Sequence, residues 1–178
     1  MRYTPEYAVL QSQLHTNPEY GTSGQRYTQI VEQLIAAYQT KDILDYGAGK
    51  GTLQKSLPFP IQNYDPFIPE YCNRPTPATI VVCTDVMEHI ELDCLRDVLV
   101  DLHSLTKTVL FTQIATGPAR KFLSDGRNAH LIQENVNWWV PRMMEFFHLQ
   151  SMQNQDNLGF IAIWTPINPE EKSDEQPS

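Results

Sequence analysis

The chain has 178 residues, of which 41% are hydrophobic and 19% charged, and this length and composition predict one globular domain rather than a disordered chain. The formal net charge of −8 argues against a protein that binds duplex nucleic acid through its phosphates, since such proteins usually carry positive charge. No apolar run approaches the roughly 18 residues that a membrane span needs, and the N-terminal segment lacks the apolar stretch of a secretory signal.

The first part of the chain contains the signals of two helices and two strands. We expect no long element in residues 1–24, because two prolines and two glycines interrupt them. The apolar spacing in 25–38 predicts an amphipathic helix. Residues 42–46 are a short apolar segment typical of a strand, and a brief helix over 52–56 is expected before two prolines. A second strand is predicted over 61–65.

The middle of the chain continues this alternation. Four prolines between residues 66 and 79 exclude a long helix there. Residues 80–83 are an apolar run typical of a strand that is buried on both faces. The leucine and valine stripe in 92–105 predicts a helix, and residues 108–114 predict another buried strand. The periodicity then fades, so we expect a loop over 115–135.

The last third of the chain completes the fold prediction. Residues 137–147 are expected to be helical, with Pro141 tolerated only if it lies in the first turn. The segments 149–153 and 158–164 flank a polar turn and predict a β-hairpin. Strands that alternate with helices predict an α/β fold, a three-layer sandwich whose mostly parallel sheet ends in an antiparallel hairpin.

The expected domain organisation and cellular setting are simple. Residues 1–165 are expected to form a single domain, and the acidic residues 166–178 a disordered tail. Three cysteines, Cys72, Cys83 and Cys94, are too widely spaced for a disulfide framework or a zinc motif. We expect them to be reduced thiols, which suits a cytoplasmic protein.

The most informative motif is the glycine-rich segment 45–51, which follows the first predicted strand and opens the brief helix. Ligands bind at this position in α/β proteins, and glycines let the backbone pass close to a ligand because a Cβ would collide with it. Asp45 is placed to bind an amino group, and Asp65 ends the next strand, where it would accept hydrogen bonds from two ribose hydroxyls. A tight strand–helix turn without a ligand is the alternative.

Three segments, in this order, resemble the motifs of class I S-adenosylmethionine (SAM)-dependent methyltransferases. Residues 43–51, ILDYGAGKG, resemble their motif I, and residues 63–66, NYDP, resemble their ribose-binding motif II. Residues 83–90, CTDVMEHI, resemble the segment that follows the fourth strand in small-molecule methyltransferases. The resemblance covers roughly residues 20–165 and implies SAM as the cofactor. The cofactor-binding residues that it implies are Asp45, Gly47, Ala48, Gly49, Asp65, Pro66 and Asp85.

The chain departs from the family between motif II and the fourth strand. The family normally has a helix, a strand and an acidic adenine contact there, whereas only residues 66–79 are available in this chain. We therefore expect the third strand and its helix to be missing or reduced to an extended loop. Adenine would then be held by the backbone and by apolar contacts from Pro66, Phe67 or nearby residues.

The catalytic candidates are two histidines. For methyl transfer a protein mainly supplies orientation and, for an oxygen nucleophile, a base. His130 is the leading base, because imidazole has a pKa near ~6.5, and a histidine before a tryptophan-bearing helix also resembles the family pattern. His89 is the second candidate. The alternatives are that His130 only anchors its loop, that His89 only packs, and that Asp85 only caps the helix after it.

The expected substrate-binding residues are Tyr20, Arg127 and Trp138. Tyr20 begins the segment 20–24, whose glycines would allow it to fold over the cofactor as a lid. Residues 117–142 carry four basic and two acidic side chains, which indicates either an anionic substrate or a solvated surface. Trp138 and the tryptophan after it diverge on a helix, so one is expected in the core and the other against the substrate.

Together these features predict a SAM-dependent methyltransferase that acts on a small, anionic or sugar-like molecule. A SAM-binding protein without methyl transfer, such as a lyase, a sensor or a partner subunit, is the alternative. Nucleic-acid methylation is disfavoured, since amino-methylating enzymes usually carry a D/N/S-P-P-Y/F/W motif where this chain has CTDV, residues 83–86. His15, His103 and His148 have no acidic or cysteine partners at metal spacing, so no metal site is predicted. The oligomeric state stays open.

Overall fold

The computed structural model describes residues 1–168, which form five α-helices and a six-stranded sheet. The helices are α1 (Pro5–Leu14), α2 (Thr28–Tyr38), α3 (Thr52–Ser56), α4 (Leu95–Leu105) and α5 (Val136–Met143). The strands are β1 (Ile43–Tyr46), β2 (Gln62–Tyr64), β3 (Ala78–Thr84), β4 (Thr106–Ile114), β5 (Phe147–Asn154) and β6 (Phe160–Pro166). Short turns of 3-10 helix connect several of them.

The sheet has the strand order β2-β1-β3-β4-β6-β5. Its first four strands pair in parallel, and β6 pairs antiparallel with both β4 and β5. Parallel neighbours need crossover connections, which here carry helices, whereas β5 and β6 are joined by a short turn. The predicted fold class, a mostly parallel α/β sheet with a C-terminal antiparallel hairpin, is confirmed.

Each face of the sheet has its own apolar core. On one face, α4 and α5 pack against the sheet through residues that include Leu102 and Trp139. On the other face, α2 and α3 contribute Val31 and Leu53. Successive strand residues point to opposite faces, so that β3 supplies Val81 to the first core and its neighbour to the second. The arrangement is a three-layer sandwich, as predicted.

The shortened middle region is confirmed as well. Between Tyr64 and Ala78 the described chain has neither a helix nor a strand, which makes β2 an edge of the sheet. The Thr76 backbone N–H donates to the Gln62 side-chain oxygen at 3.1 Å, and the Gln62 amide donates to the Thr76 carbonyl at 3.4 Å. An extended segment therefore covers the edge where the family has another strand.

Two expectations about helices were wrong. Residues 1–24 contain the ten-residue helix α1, because Pro5 stands at its first position, where a missing N–H costs nothing. Pro141 lies in the sixth position of α5 rather than in the first turn. The helix is only eight residues long, so it tolerates the single hydrogen bond that this proline cannot donate.

The remaining predictions concern the tail, the cysteines and the membrane. Strand β6 extends to Pro166, and residues 169–178 of the predicted tail lie outside the described residues. All three cysteines are free thiols, and Cys72 is the exposed one. None of the helices within residues 1–168 has the length and apolarity needed to cross a bilayer.

Candidate cofactor and active site

A cavity of about 730 Å³, measured with its open mouth, lies at the carboxyl ends of β1, β2 and β3. Five of the predicted cofactor-binding residues line it, namely Gly47, Gly49, Asp65, Pro66 and Asp85. The predicted residues His89 and Tyr20 line it too. The cavity is large enough for a nucleoside-sized ligand, and it occupies the edge of the sheet where α/β proteins bind their ligands.

The glycines of the loop are required by neighbouring residues of the protein, in addition to the space that a ligand would need. Gly49 has a φ of +53°, and a Cβ added there would lie 2.4 Å from the Gly21 carbonyl oxygen. A Cβ on Gly47, whose φ is +82°, would lie 2.2 Å from a methyl group of Val86. The Lys50 N–H donates to the Gly21 oxygen at 2.7 Å. The segment that contains Gly21 therefore rests directly on the glycine loop, in the place expected of a lid.

Asp65 is held in a fixed orientation at the tip of β2. Its Oδ2 accepts the Gly49 N–H at 3.0 Å, and its Oδ1 accepts the Phe67 N–H at 3.0 Å. His15 approaches from α1, with its Nε2 3.9 Å from Oδ2. Each carboxylate oxygen can accept more than one hydrogen bond, so the side chain retains capacity for two hydroxyl groups.

Asp45 and Ala48 do not line the cavity, unlike the other predicted cofactor-binding residues. The Ala48 N–H donates to the Tyr64 carbonyl at 3.0 Å, which ties the loop to β2. Asp45 is buried, and its Oδ2 has no hydrogen-bond partner among the described residues. Burial, with a smaller contribution from the charge of Asp65, raises the pKa of Asp45 to about 7. This unpartnered carboxylate behind the loop fits a nearby ammonium group.

An aromatic wall closes the cavity beside Asp65. Phe67 lies 5.0 Å from Tyr3 and 6.0 Å from Tyr7, measured between ring centroids, and both contacts are edge-to-face. All three rings line the cavity together with Pro66. They are apolar surfaces of the kind that the sequence predicts for the adenine position.

Helix α1, which the sequence does not predict, forms part of the cavity wall. The Tyr7 hydroxyl donates to the carbonyl of His89, and Tyr7 is almost fully buried. Thr4 caps the helix by accepting the Tyr7 N–H, and it donates its hydroxyl to Glu91 at 2.8 Å. The helix was predictable from one signal, a threonine followed by a proline, which is typical of a helix start.

The two catalytic candidates lie together although 41 residues separate them. The rings of His89 and His130 are 4.8 Å apart and edge-to-face. His89 Nδ1 donates to the Ala129 carbonyl at 2.7 Å, and His130 Nδ1 donates to the Gly117 carbonyl at 2.6 Å. Since a carbonyl only accepts, each Nδ1 carries a proton, and in the neutral ring the lone pair is on Nε2. Burial lowers the pKa of His89 to about 4, so its ring is neutral at neutral pH.

Two carboxylates complete this cluster. Glu88 is fully buried, with Oε1 accepting the Ala115 N–H at 2.9 Å and Oε2 without a hydrogen-bond partner among the described residues. Burial, and then the charge of Asp85, raise the pKa of Glu88 well above its usual range. One nitrogen or oxygen from each of Asp85, Glu88, His89 and His130 lies within 4.8 Å of the others.

Asp85 does not cap an α-helix, which was the alternative to a cofactor-binding role. Its φ is +61°, and a short 3-10 turn, Met87–His89, follows it instead of an α-helix. This left-handed conformation is uncommon for a non-glycine residue. The sequence singled out Asp85 and His89 but gave Glu88 no role, because its burial depends on β4 and the loop that follows.

The structure does not bring Arg127 and Trp138 to the cavity. The Arg127 guanidinium donates to the Asp125 carboxylate at 2.7 Å, within an exposed turn. Trp138 packs beneath the Arg142 guanidinium, 3.7 Å from its ring centroid, while Trp139 fills the core as the sequence predicted for one of the pair. A different basic group, Lys121, lies beside Tyr20, with its Nζ 5.4 Å from the tyrosine ring centroid.

Three solved structures with a similar fold are methyltransferases. The 1,6-didemethyltoxoflavin-N1-methyltransferase of Burkholderia thailandensis, solved with 1,6-didemethyltoxoflavin and S-adenosylhomocysteine (SAH), has a TM-score of 0.64 at 12% identity, over 92% of this chain and 90% of that chain. The N-methyltransferase NodS of Bradyrhizobium japonicum, solved with SAH, has a TM-score of 0.57 at 11% identity, over 80% and 86%. The magnesium protoporphyrin IX methyltransferase of Synechocystis, solved with SAM, has a TM-score of 0.51 at 15% identity, over 80% and 79%.

The fold assignment rests on these structures together with the sheet order. No family model and no curated protein matches the sequence. The chain nevertheless has the class I methyltransferase fold, as the three sequence motifs predict.

Proposed function

We propose that this protein is a SAM-dependent methyltransferase that acts on a small molecule. The observation that carries the proposal is the cavity in which a glycine loop after β1 faces the carboxylate of Asp65 at the tip of β2. Similar structures were solved with SAM or SAH bound. This support is independent of the sequence motifs, because identity to those proteins is 15% or less.

Residues that line the cavity, together with one buried behind the glycine loop, suit the three parts of SAM. Asp65 would accept hydrogen bonds from the ribose hydroxyls, and Phe67 with Pro66 would pack against adenine. The unpartnered Oδ2 of Asp45 would stabilise the amino group of the methionine part from behind the loop. SAM itself supplies a sulfonium methyl group, which is transferred in line to a nucleophile.

We assign the acceptor side of the cavity to the residues that follow β3 and β4. His89 and Tyr20 line the cavity there, and His130 contacts His89 from behind. His89 is the histidine that would meet the hydrogen-bearing atom of an acceptor, since His130 does not line the cavity and would act through its contact with His89. Tyr20 would close over the acceptor, since its hydroxyl lies 3.4 Å from His89 Nδ1 and 3.1 Å from the Gln11 oxygen.

An anionic or sugar-like acceptor remains our proposal for the substrate. Arg127 lies outside the cavity. We therefore assign the binding of an anionic substrate to Lys121, which lies over the Tyr20 ring. The Lys121 ammonium group beside Tyr20 would attract a phosphate or carboxylate. The acidic chain as a whole would not favour a nucleic-acid acceptor.

SAM binding without methyl transfer is the second candidate function. It is favoured by one observation, the absence of the family's third strand and its helix between Tyr64 and Ala78 of the described chain. A sensor or partner subunit would need SAM to bind but would need no acceptor pocket. Transfer of a labelled methyl group to candidate small acceptors separates the two functions.

Calorimetric titration with SAM and with SAH tests the proposal. We expect one site per chain, and we expect Asp65→Asn to weaken binding at least tenfold, or about 1.4 kcal/mol. Glu32→Gln is the matched control, because Glu32 is an exposed carboxylate on α2, away from the cavity. Absence of heat with both ligands, from a chain with native circular dichroism, would contradict the proposal.

A further inference from the structure

Asp85, Glu88, His89 and His130 form a cluster of four side chains that can each bind a metal ion. Three of its members follow β3, and His130 comes from the loop after β4. Their ligand atoms lie within 4.8 Å of one another. Four ligand atoms in a tetrahedron, each about 2 Å from the metal ion, are about 3.3 Å from one another. Shifts of less than about 1 Å would therefore bring all four atoms to bonding distance.

Both histidines are already oriented as metal ligands are. Each donates its Nδ1–H to a backbone carbonyl, that of Ala129 for His89 and that of Gly117 for His130. Ligating histidines in metalloproteins almost always donate their second ring N–H to a carbonyl or carboxylate, which fixes the tautomer and the ring plane. The two rings are in edge-to-face contact, and one ring nitrogen of each lies within 4.8 Å of a carboxylate oxygen of Asp85 and of Glu88.

The carboxylate side of the cluster lacks a counter-charge. Glu88 is fully buried, one of its oxygens is held by the Ala115 N–H, and the other has no hydrogen-bond partner among residues 1–168. None of the salt bridges in the described part of the chain includes Asp85 or Glu88. A buried carboxylate is costly unless it is paired or coordinates a metal, and a cation between these residues would satisfy both carboxylates.

We propose that Asp85, Glu88, His89 and His130 bind a first-row divalent cation such as Zn²⁺, Mn²⁺ or Co²⁺. Imidazole nitrogens favour such ions over Mg²⁺ or Ca²⁺, while carboxylate oxygens are accepted by all of them. Asp85 and His89 line the cavity, so the remaining coordination positions would face it. The sequence predicted no metal site, because His130 is 41 residues away from His89 in sequence and only the fold brings the two together.

This inference rests on the proposed function for the role of the ion, and it defines the acceptor as a hydroxyl group. A hydroxyl oxygen on the cation becomes more acidic and loses its proton to solvent. That oxygen then forms a bond to the methyl carbon with its own electron pair, while the carbon–sulfur bond breaks and leaves its pair on sulfur as SAH. In this role His89 and His130 hold the ion instead of accepting the proton.

Titration of the metal-stripped full-length chain with Co²⁺ tests the site directly. We expect one Co²⁺ per chain by calorimetry and a visible d–d absorption band that grows with it. Glu88→Gln, which keeps the size of the side chain, and Asp85→Asn should each weaken Co²⁺ binding at least tenfold. The control Glu32→Gln removes an exposed carboxylate on α2 and should leave Co²⁺ binding unchanged.

A parallel titration with SAH separates this inference from the proposed function. A chain that binds SAH but no Co²⁺ up to millimolar concentration overturns the metal site alone, and so does Co²⁺ binding that both variants leave unchanged. A chain that binds Co²⁺ but no SAH overturns the methyltransferase proposal alone. If Glu88→Gln fails to fold, Asp85→Asn decides the result, because Asp85 is only half-buried.

Discussion

Gly49 joins two constraints at one position, a left-handed backbone and a neighbouring chain in direct contact. Its φ is +53°, and a Cβ would lie 2.4 Å from the Gly21 oxygen and 2.8 Å from the Gly21 Cα. Because both neighbours are backbone atoms, they cannot move aside without shifting the segment over the loop. We expect Gly49→Ala to lower the free energy of unfolding by about 2–4 kcal/mol, measured by urea denaturation.

Two other glycines allow the effect of a positive φ to be measured separately from the effect of a close contact. Gly126 has a φ of +89° but nothing within 4 Å of an added Cβ, so Gly126→Ala should cost only the backbone strain, about 1 kcal/mol. Gly117 has neither a positive φ nor a neighbour within 4 Å, and Gly117→Ala should change stability by less than about 0.5 kcal/mol. Equal losses at Gly49 and Gly126 would show that the contact with Gly21 contributes nothing.

Asp45 makes the stability of the unliganded chain depend on pH. Its pKa is raised to about 7 by burial and then by Asp65. The folded chain keeps a proton that the unfolded chain releases above about pH 4, so Asp45 lowers the free energy of unfolding progressively as the pH rises from about 4 to about 7. Asp45→Asn removes this titration. Above about pH 7 the variant should be more stable than the wild type, by up to about 4 kcal/mol.

Urea unfolding at several pH values measures the effect of Asp45→Asn. Asp93→Asn is the control, since Asp93 is exposed and its replacement should change stability by less than about 0.5 kcal/mol at every pH. A difference between wild type and Asp45→Asn that stays constant from pH 4 to about pH 8 would contradict the prediction.

At the scale of single residues, local motifs marked several of the residues that line the cavity, although Asp45 and Ala48 of the same motif do not line it. Gly47 and Gly49 follow a strand at a recognisable spacing, and Asp65 ends the next strand. Glu88 could not be assigned in this way, because its burial and its bond to the Ala115 N–H depend on a strand that is distant in sequence. The prediction that Trp138 contacts the substrate was wrong for a different reason. A helix has several faces, and local spacing does not say which of them meets a cavity.

Among the elements, β2 is an edge strand whose Gln62 side chain is bonded to Thr76, in the segment before β3. The Gln62 side chain accepts both the N–H and the hydroxyl of Thr76 and donates to the Thr76 carbonyl. The Gln62 side-chain amide thus forms hydrogen bonds with Thr76 at the edge where the family has a third strand. We expect Gln62→Ala to lower the free energy of unfolding by about 1 kcal/mol and to promote concentration-dependent association, because exposed edges pair with other chains.

Sedimentation velocity at increasing protein concentration measures this association. Gln150→Ala on β5, the opposite edge strand, is the matched control, because Gln150 makes a single side-chain bond, to Thr165 at 2.9 Å. If both variants associate to the same extent, the Gln62–Thr76 contact does not protect the edge.

Helix α5 is weakened by its own proline. Pro141 is the sixth of eight residues and cannot donate the helical hydrogen bond to the Asn137 carbonyl. Pro141→Ala should therefore raise the free energy of unfolding by about 1–3 kcal/mol, measured by thermal denaturation. Pro5→Ala is the control, because Pro5 stands at the first position of α1 and its replacement restores no helical bond. A gain at Pro5 as large as that at Pro141 would contradict this explanation.

Most elements of the fold could be predicted because their signals are local. The apolar runs of β3 and β4 and the stripe of α4 are continuous in sequence, and proline density between β2 and β3 indicated the missing strand. Helix α1 could not be recognised from periodicity, since its buried residues are few and one of them is the polar Gln11. Its position is fixed by contacts with Glu91 and His89, which no local pattern contains.

For the whole molecule, segments from distant parts of the chain meet at one cavity. The N-terminal part reaches it through the bond from the Tyr7 hydroxyl to the His89 carbonyl and through the Gly21 oxygen, which accepts the Lys50 N–H. The loop after β4 reaches it through the contact between His89 and Ala129. A ligand in the cavity would therefore contact, directly or through one neighbour, elements on both halves of the sheet.

This convergence predicts where SAH should slow amide hydrogen exchange. A ligand that binds only the folded chain stabilises it by about 2.7 kcal/mol at 100 times its Kd, and protection should concentrate in α1, in residues 20–24 and in the glycine loop. The exposed face of α2 is the internal control, because α2 packs on the other side of the sheet and does not line the cavity. Mass-spectrometric exchange measures both regions. Equal protection of α1 and α2 would mean that SAH acts through global stability alone, and absence of protection in α1 would mean that this helix is not part of the binding site.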